Sequence, residues 1–248
     1  MTLERKALLV SANNVKIGEG QERIYDVGKQ SGKQAEYDAF WDIYQQNGNR
    51  TNYRNAFAGH GWTPDNFKPK YDIRPTSDGA YMMFYHAKNM KGDLVQMLED
   101  CGVELDLSQC GAWIQYLIAG SNITRLGRLD CSNASTLGST FADTPIHTID
   151  ELIVSEKNVF SGAFLNCNEL VNLTISGVIG QNGLDLKAST KLSKASIESV
   201  VNALSTTKTG LTVTLSATAV NNAFEGGSAG SEWLNLIATK PNWTISLV

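Results

Sequence analysis

Several things are scarce in this sequence, and each scarcity excludes a class of protein. No run of 18 apolar residues occurs in the 248, so no membrane-spanning helix is expected. There is no block of five basic residues and the formal net charge is −4, which disfavours nucleic-acid binding. The only apolar piece near the start, Ala7 to Val10, is too short for a secretory core, so export by that route is not expected. The Asn-x-Ser/Thr triplets at Asn49, Asn122, Asn133, Asn172 and Asn242 are then chance matches in an Asn- and Thr-rich chain. Only four cysteines are present, Cys101, Cys110, Cys131 and Cys167, with no CxxC pair and no zinc spacing. Buried free thiols are the expectation, with a Cys101–Cys110 disulfide as the alternative.

Catalytic signatures are equally scarce. The three histidines, His60, His86 and His147, sit in no HExxH motif, and the chain has no GxSxG, P-loop or GxGxxG-before-helix pattern. Calcium loops are absent. Asp150 and Glu151 are adjacent on an expected strand and should point to opposite faces. A glycosidase would need two carboxylates facing each other across a cleft, which sequence alone does not reveal. The reading is therefore a non-enzyme without metal or cofactor.

What is present is a periodicity. Segments beginning at Ile118, Phe141 and Phe164 are each offset by 23 residues. Ile123, Ile146 and Leu170 fall in register, followed by Leu126, Ile149 and Leu173, then Leu129, Leu152 and Ile175. A degenerate earlier copy holds Tyr85 and Met90. A unit with about five core side chains gains roughly 1.5–3 kcal/mol from each. Fixing its backbone costs about 1–2 kcal/mol per residue, so one copy cannot fold alone and stacking is required. Periods of about 20–29 residues with this spacing indicate leucine-rich repeats. In that frame Ser121, Thr144 and Cys167 are small packing residues.

The flanks differ. At the N-terminal side Tyr37, Phe40, Trp41 and Tyr44 form an aromatic helix face, expected either to pack on the repeats or to make an oligomer contact. The Pro- and Gly-punctuated stretch up to Thr76 reads as a connecting loop. At the C-terminal side, Ile197, Val200, Val201 and Leu204 predict a helix capped by Ser193 with Leu192 as its staple. Leu211, Val213 and Leu215 predict a strand. A short helix near residue 231 should stop at Pro241, before a final strand with Trp243, Ile245 and Leu247 inward. The predicted architecture is α+β: a helical N-terminal segment (1–78), a short leucine-rich-repeat solenoid of about 23-residue repeats (79–188) and an α+β cap (189–248).

The segment "AFLNCNELVNLTI" at 163–175 resembles the BspA-type leucine-rich repeat, and the copies at 141–154 and 118–129 resemble it more loosely. Residues 32–73 and the cap resemble segments of leucine-rich-repeat proteins encoded in phage and prophage tail regions of gut Firmicutes. The resemblance implies a virion tail component presenting its repeat surface to a protein or glycan on a host, or to another virion protein, with homo-oligomerisation possible. Alternatives are a bacterial cell-surface adhesin and a carbohydrate-active enzyme. Outward strand positions Arg125, Arg128, Thr148, Glu151, Asn172 and Thr174 are the candidate binding residues, against the simpler reading that they are solvated polar groups.

Overall fold

The computed structural model describes residues 40–248. Tyr37 lies outside the described residues.

From Tyr53 to Cys167 the chain is built of stacked layers of tight turns. In each layer alternate backbone N–H groups bond within the turn and the rest reach the next layer. Tyr81, Met83 and Tyr85 donate to Asp78, Ala80 and Met82, while Met82, Phe84 and His86 donate to Gln115, Leu117 and Ala119. The alternation recurs two layers on: Thr140 and Ala142 donate to Leu137 and Ser139, while Leu137, Ser139 and Phe141 donate to Val159, Ser161 and Ala163. The arrangement satisfies backbone groups that burial would otherwise orphan. It does so with left-handed backbone at Met82, His86, Tyr116, Ser139, Asp143 and Asn166, each costing about 1–2 kcal/mol. Inside the stack Phe57 lies 5.0 Å from Phe84, and Phe141 5.0 Å from Phe164, all fully buried.

Each layer after the first feeds a strand on the opposite side. Strands β1 (Lys91–Asp93), β2 (Asn122–Asp130), β3 (Thr148–Val154) and β4 (Asn172–Gly177) form a parallel sheet in that order. Leu126 pairs with Ile149, which pairs with Leu173. β2 buries Ile123, Leu126 and Leu129, every third residue, where a flat strand would alternate. β3 buries Ile149 and Leu152 in the same way, with a register irregularity between them. Asp150 and Glu151 therefore both face solvent, not opposite faces as expected, because the strand is bulged where they sit.

A second parallel sheet follows, β5 (Asp185–Leu186), β6 (Leu211–Leu215) and β7 (Trp243–Leu247). Between and around these strands lie α2 (Lys194–Ala203), α3 (Ala217–Ala223) and α4 (Ser231–Ala238), with α1 (Leu94–Glu99) directly after β1. Ser193 caps α2 through the Ser196 N–H, and buried Leu192 precedes it. The C-terminal end of α2 is closed by the buried Lys240, whose ammonium donates to the carbonyls of Asn202 (2.8 Å) and Leu204 (2.6 Å). Desolvation lowers the pKa of that ammonium.

The two sheets overturn the expectation of one leucine-rich-repeat solenoid. A solenoid would continue β4 into the next strand. Here α2 takes the edge of β4: Ser196 Oγ accepts from Leu173 N–H (2.8 Å) and donates to the Val171 carbonyl (3.0 Å). Ser199 Oγ does the same for Ile175 N–H (2.7 Å) and its carbonyl (3.3 Å). Two serines one turn apart thus replace a strand partner and end the sheet. The result is a mixed α+β unit of two parallel sheets packed with helices, with a continuous core running from Phe40 to Trp243. The stretch read as a connecting loop belongs to that core, since Trp62, Phe67 and Ile73 are buried and Ile73 bridges Leu105. The four cysteines are free, so the Cys101–Cys110 disulfide is absent; Cys110, Cys131 and Cys167 are buried.

Candidate functional site

The residues expected to bind a partner lie on the solvent face of the first sheet, and all but Thr174 are bonded to neighbours on that face. Arg125 makes a two-bonded contact with Asp150 (3.1 and 2.8 Å) and a third with Asp93 (3.0 Å). Both carboxylates push the Arg125 pKa up. Asp93 also caps α1, accepting from Val95 and Gln96 N–H with its other oxygen. Arg128 donates to Glu151 (3.1 Å), whose second oxygen accepts from Ser176 (2.6 Å). Asn172 donates to Thr148 (3.3 Å), which also meets His147 Nδ1 (3.0 Å). Thr174 is exposed and makes no side-chain bond among the described residues. Such half-exposed pairs contribute about 0.2–1 kcal/mol each. They neutralise the face locally, and leave no concentrated charge for a ligand.

Phe40, Trp41 and Tyr44 are buried rather than presented. Trp41 packs against Phe57, Trp62 and Phe67 at 6.3, 5.5 and 6.1 Å, and the Tyr44 hydroxyl donates to the Ala56 carbonyl.

The residues that do stand out were not singled out in the sequence. On the turn-bearing side, Trp113, Tyr81, Tyr116 and Tyr85 form a zigzag row with successive ring separations of 6.1, 6.2 and 5.7 Å. His86 extends it, 4.1 Å from Tyr85. Trp113 is 46% exposed, and Thr136 and the 40% exposed Val159 continue its column through successive bridges. The Arg54 guanidinium lies over Tyr81 at 4.8 Å and is ion-paired with Asp78. Backbone bonds fix the row. Tyr81 and Tyr85 belong to one turn layer, Trp113 and Tyr116 to the next, and Tyr116 N–H donates to Gly138. The sequence signal is the pair of aromatics four apart in "YMMFY" and three apart in "WIQY". That spacing alone does not mark them as exposed; the turn geometry sends residues out in adjacent pairs, Tyr81 and Met82, then Tyr85 and His86, around the buried Met83 and Phe84.

Among the described residues, no group of three His, Cys, Asp or Glu side chains could hold a metal ion, and no helix is long and apolar enough to cross a membrane. Comparison with protein-family models, curated proteins and solved structures found no match. The BspA-type and tail-protein resemblances are corrected accordingly. Neither comparison nor fold sustains a virion component, an adhesin or a leucine-rich-repeat surface, because the chain forms a mixed two-sheet unit whose strand face is occupied by its own ion pairs.

Proposed function

We propose that this chain is a non-catalytic protein-binding module and that the row Trp113–Tyr81–Tyr116–Tyr85, with Arg54, is its contact surface. The observation that carries the reading is the exposure of Trp113 at the end of an ordered aromatic row. Tryptophan, tyrosine and arginine are the side chains that most often dominate interface energetics, and they supply large contact area with few rotors to freeze. The rigid turn stack lowers the ordering cost of binding. The non-catalytic half of the reading is supported by the sheet-face carboxylates Asp93, Asp150 and Glu151, which are each held by an arginine instead of facing one another across a cleft.

The test begins with chemical crosslinking in the native source to recover partners, followed by measurement of the purified partner's affinity. The double variant Trp113→Ala, Tyr116→Ala should bind at least about 30-fold more weakly, the loss expected of a residue worth 2 kcal/mol or more. Its unfolding midpoint should stay near that of the parent. Unchanged affinity would remove the aromatic row from the interface.

A further inference from the structure

The second sheet edge of interest is that of β2. β1 ends at Asp93, which pairs with Arg125, so among the described residues Leu126–Asp130 have a strand partner only on the β3 side. On the other side α1 meets the strand where Val95 covers Gly127, and α1 and the segment 103–108 leave a cleft of about 630 Å³ around that contact. That volume is within the range of built ligand sites, about 300–1,000 Å³. The cleft's accessible aliphatic wall is Val95 and Leu105, both half-buried, backed by the buried Leu94, Leu98 and Val103, and the edge is about five residues long, or ~16 Å at ~3.3 Å per residue. Its polar lining is strongly one-signed. Glu99, Glu104, Asp106 and Asp130 are acidic, against Arg128, which is already bonded to Glu151. Glu99 and Glu104 are exposed and make no ion pair among the described residues.

We infer that this cleft receives an extended peptide strand of alternating aliphatic and basic residues, which adds to the free edge of β2. Three features point to the same occupant. The unpaired backbone groups of Leu126–Asp130 need a partner that supplies main-chain donors and acceptors, which an added strand does and a helix does not. The aliphatic wall takes the side chains on one face of that strand. The acidic rim matches basic side chains on the other. The site is separate from the aromatic row and does not depend on it.

The experiment uses the full chain and fluorescein-labelled seven-residue peptides, read by fluorescence anisotropy. A peptide alternating Lys and Val should bind saturably and weaken with added salt. The same peptide with Glu in place of Lys should bind at least tenfold more weakly. Methylating every interior amide nitrogen, which keeps charge and side chains but removes the backbone donors, should also cost at least tenfold. Glu99→Lys with Glu104→Lys should lower affinity for the Lys–Val peptide at least tenfold without moving the melting temperature, since both carboxylates are exposed. The proposal fails if no Lys–Val binding is seen at millimolar peptide. It also fails if the methylated peptide binds equally well, which would mean charge attraction alone, or if an amphipathic helical peptide binds as tightly, which would make the cleft a helix groove.

Discussion

Asn158 is fully buried, and the structure makes a specific demand on it. Its carboxamide oxygen accepts from the Ser155 N–H at 2.6 Å, and its amide nitrogen donates to the carbonyls of Cys131 (3.1 Å) and Ala134. The side chain thereby ties the turn after β3 to the equivalent turn after β2. Cys131 O keeps a second partner, the Ala134 N–H, when Asn158 is truncated. The Ser155 N–H and Ala134 O have no other among the described residues, so Asn158→Ala orphans one half-buried and one buried backbone group. At about 1–3 kcal/mol each, the expected loss is about 2–6 kcal/mol. That is a large share of the stability of a typical domain, about 5–15 kcal/mol. Urea denaturation followed by circular dichroism measures it directly. Asn158→Asp should separate the two halves of the network. It keeps the acceptor for Ser155 but loses the donor and buries a carboxylate, so it should be less destabilising at pH 4 than at pH 8. A loss under 1 kcal/mol for Asn158→Ala would refute the reasoning, and would mean that water or a local shift satisfies the orphaned groups.

Two further outcomes follow from the backbone and the buried thiols. Gly177 ends β4 at φ +93, where an added Cβ would stand 2.0 Å from the Val154 carbonyl oxygen; Gly210, at φ +70, would meet nothing within 4 Å. Gly177→Ala should therefore cost clearly more than the ~1–2 kcal/mol of left-handed backbone alone expected for Gly210→Ala, and equal losses in denaturant titrations would refute the steric account. Burial pushes the thiols of Cys110 and Cys167 up to about 12 and raises that of Cys131 as well. A folded pKa above the unfolded value of about 8.5 contributes stability that is intact below pH 8.5 and lost as pH rises toward 12, because only the unfolded chain releases the proton. At pH 10 this amounts to about 2 kcal/mol per thiol. The triple variant Cys110→Ala, Cys131→Ala, Cys167→Ala should show a flatter decline of stability between pH 8 and 10 than the parent, and parallel declines would remove the thiols as its cause.

Some of this was legible from the residues alone. The alignment of Leu126, Ile149 and Leu173 at near-constant intervals became strand register, because a repeated core position can be buried repeatedly only by parallel stacking. Ser193 as a helix cap, and Leu211, Val213 and Leu215 as a strand, follow from local rules that need few distant contacts. The sheet's end was not legible. Ser196 and Ser199 read as polar positions of an amphipathic helix, and only the approach of α2 to β4 shows them acting as the missing strand. The same holds for Asp150 and Glu151. Simple alternation sends them to opposite faces, and the bulge that brings both to solvent is set by the pairing of β3 with its neighbours.

The candidate sites divide along the same line. Residue identities alone picked out Arg125, Arg128 and Glu151 as outward charges, but not that Arg125 would be held by Asp93 and Asp150 and Arg128 by Glu151, since those partners lie 23 to 32 residues apart in the chain. Trp113, Tyr81, Tyr116 and Tyr85 carry no local mark of exposure, and the left-handed backbone at Met82, His86 and Tyr116 accompanies the turns on which they sit. Sequence by itself determined which side chains must be buried and at what interval, because hydrophobic burial is written into composition and spacing. Tertiary structure decided which edges close, which charges are spent internally and which aromatics remain outside, because each of these depends on the approach of segments that no local rule brings together.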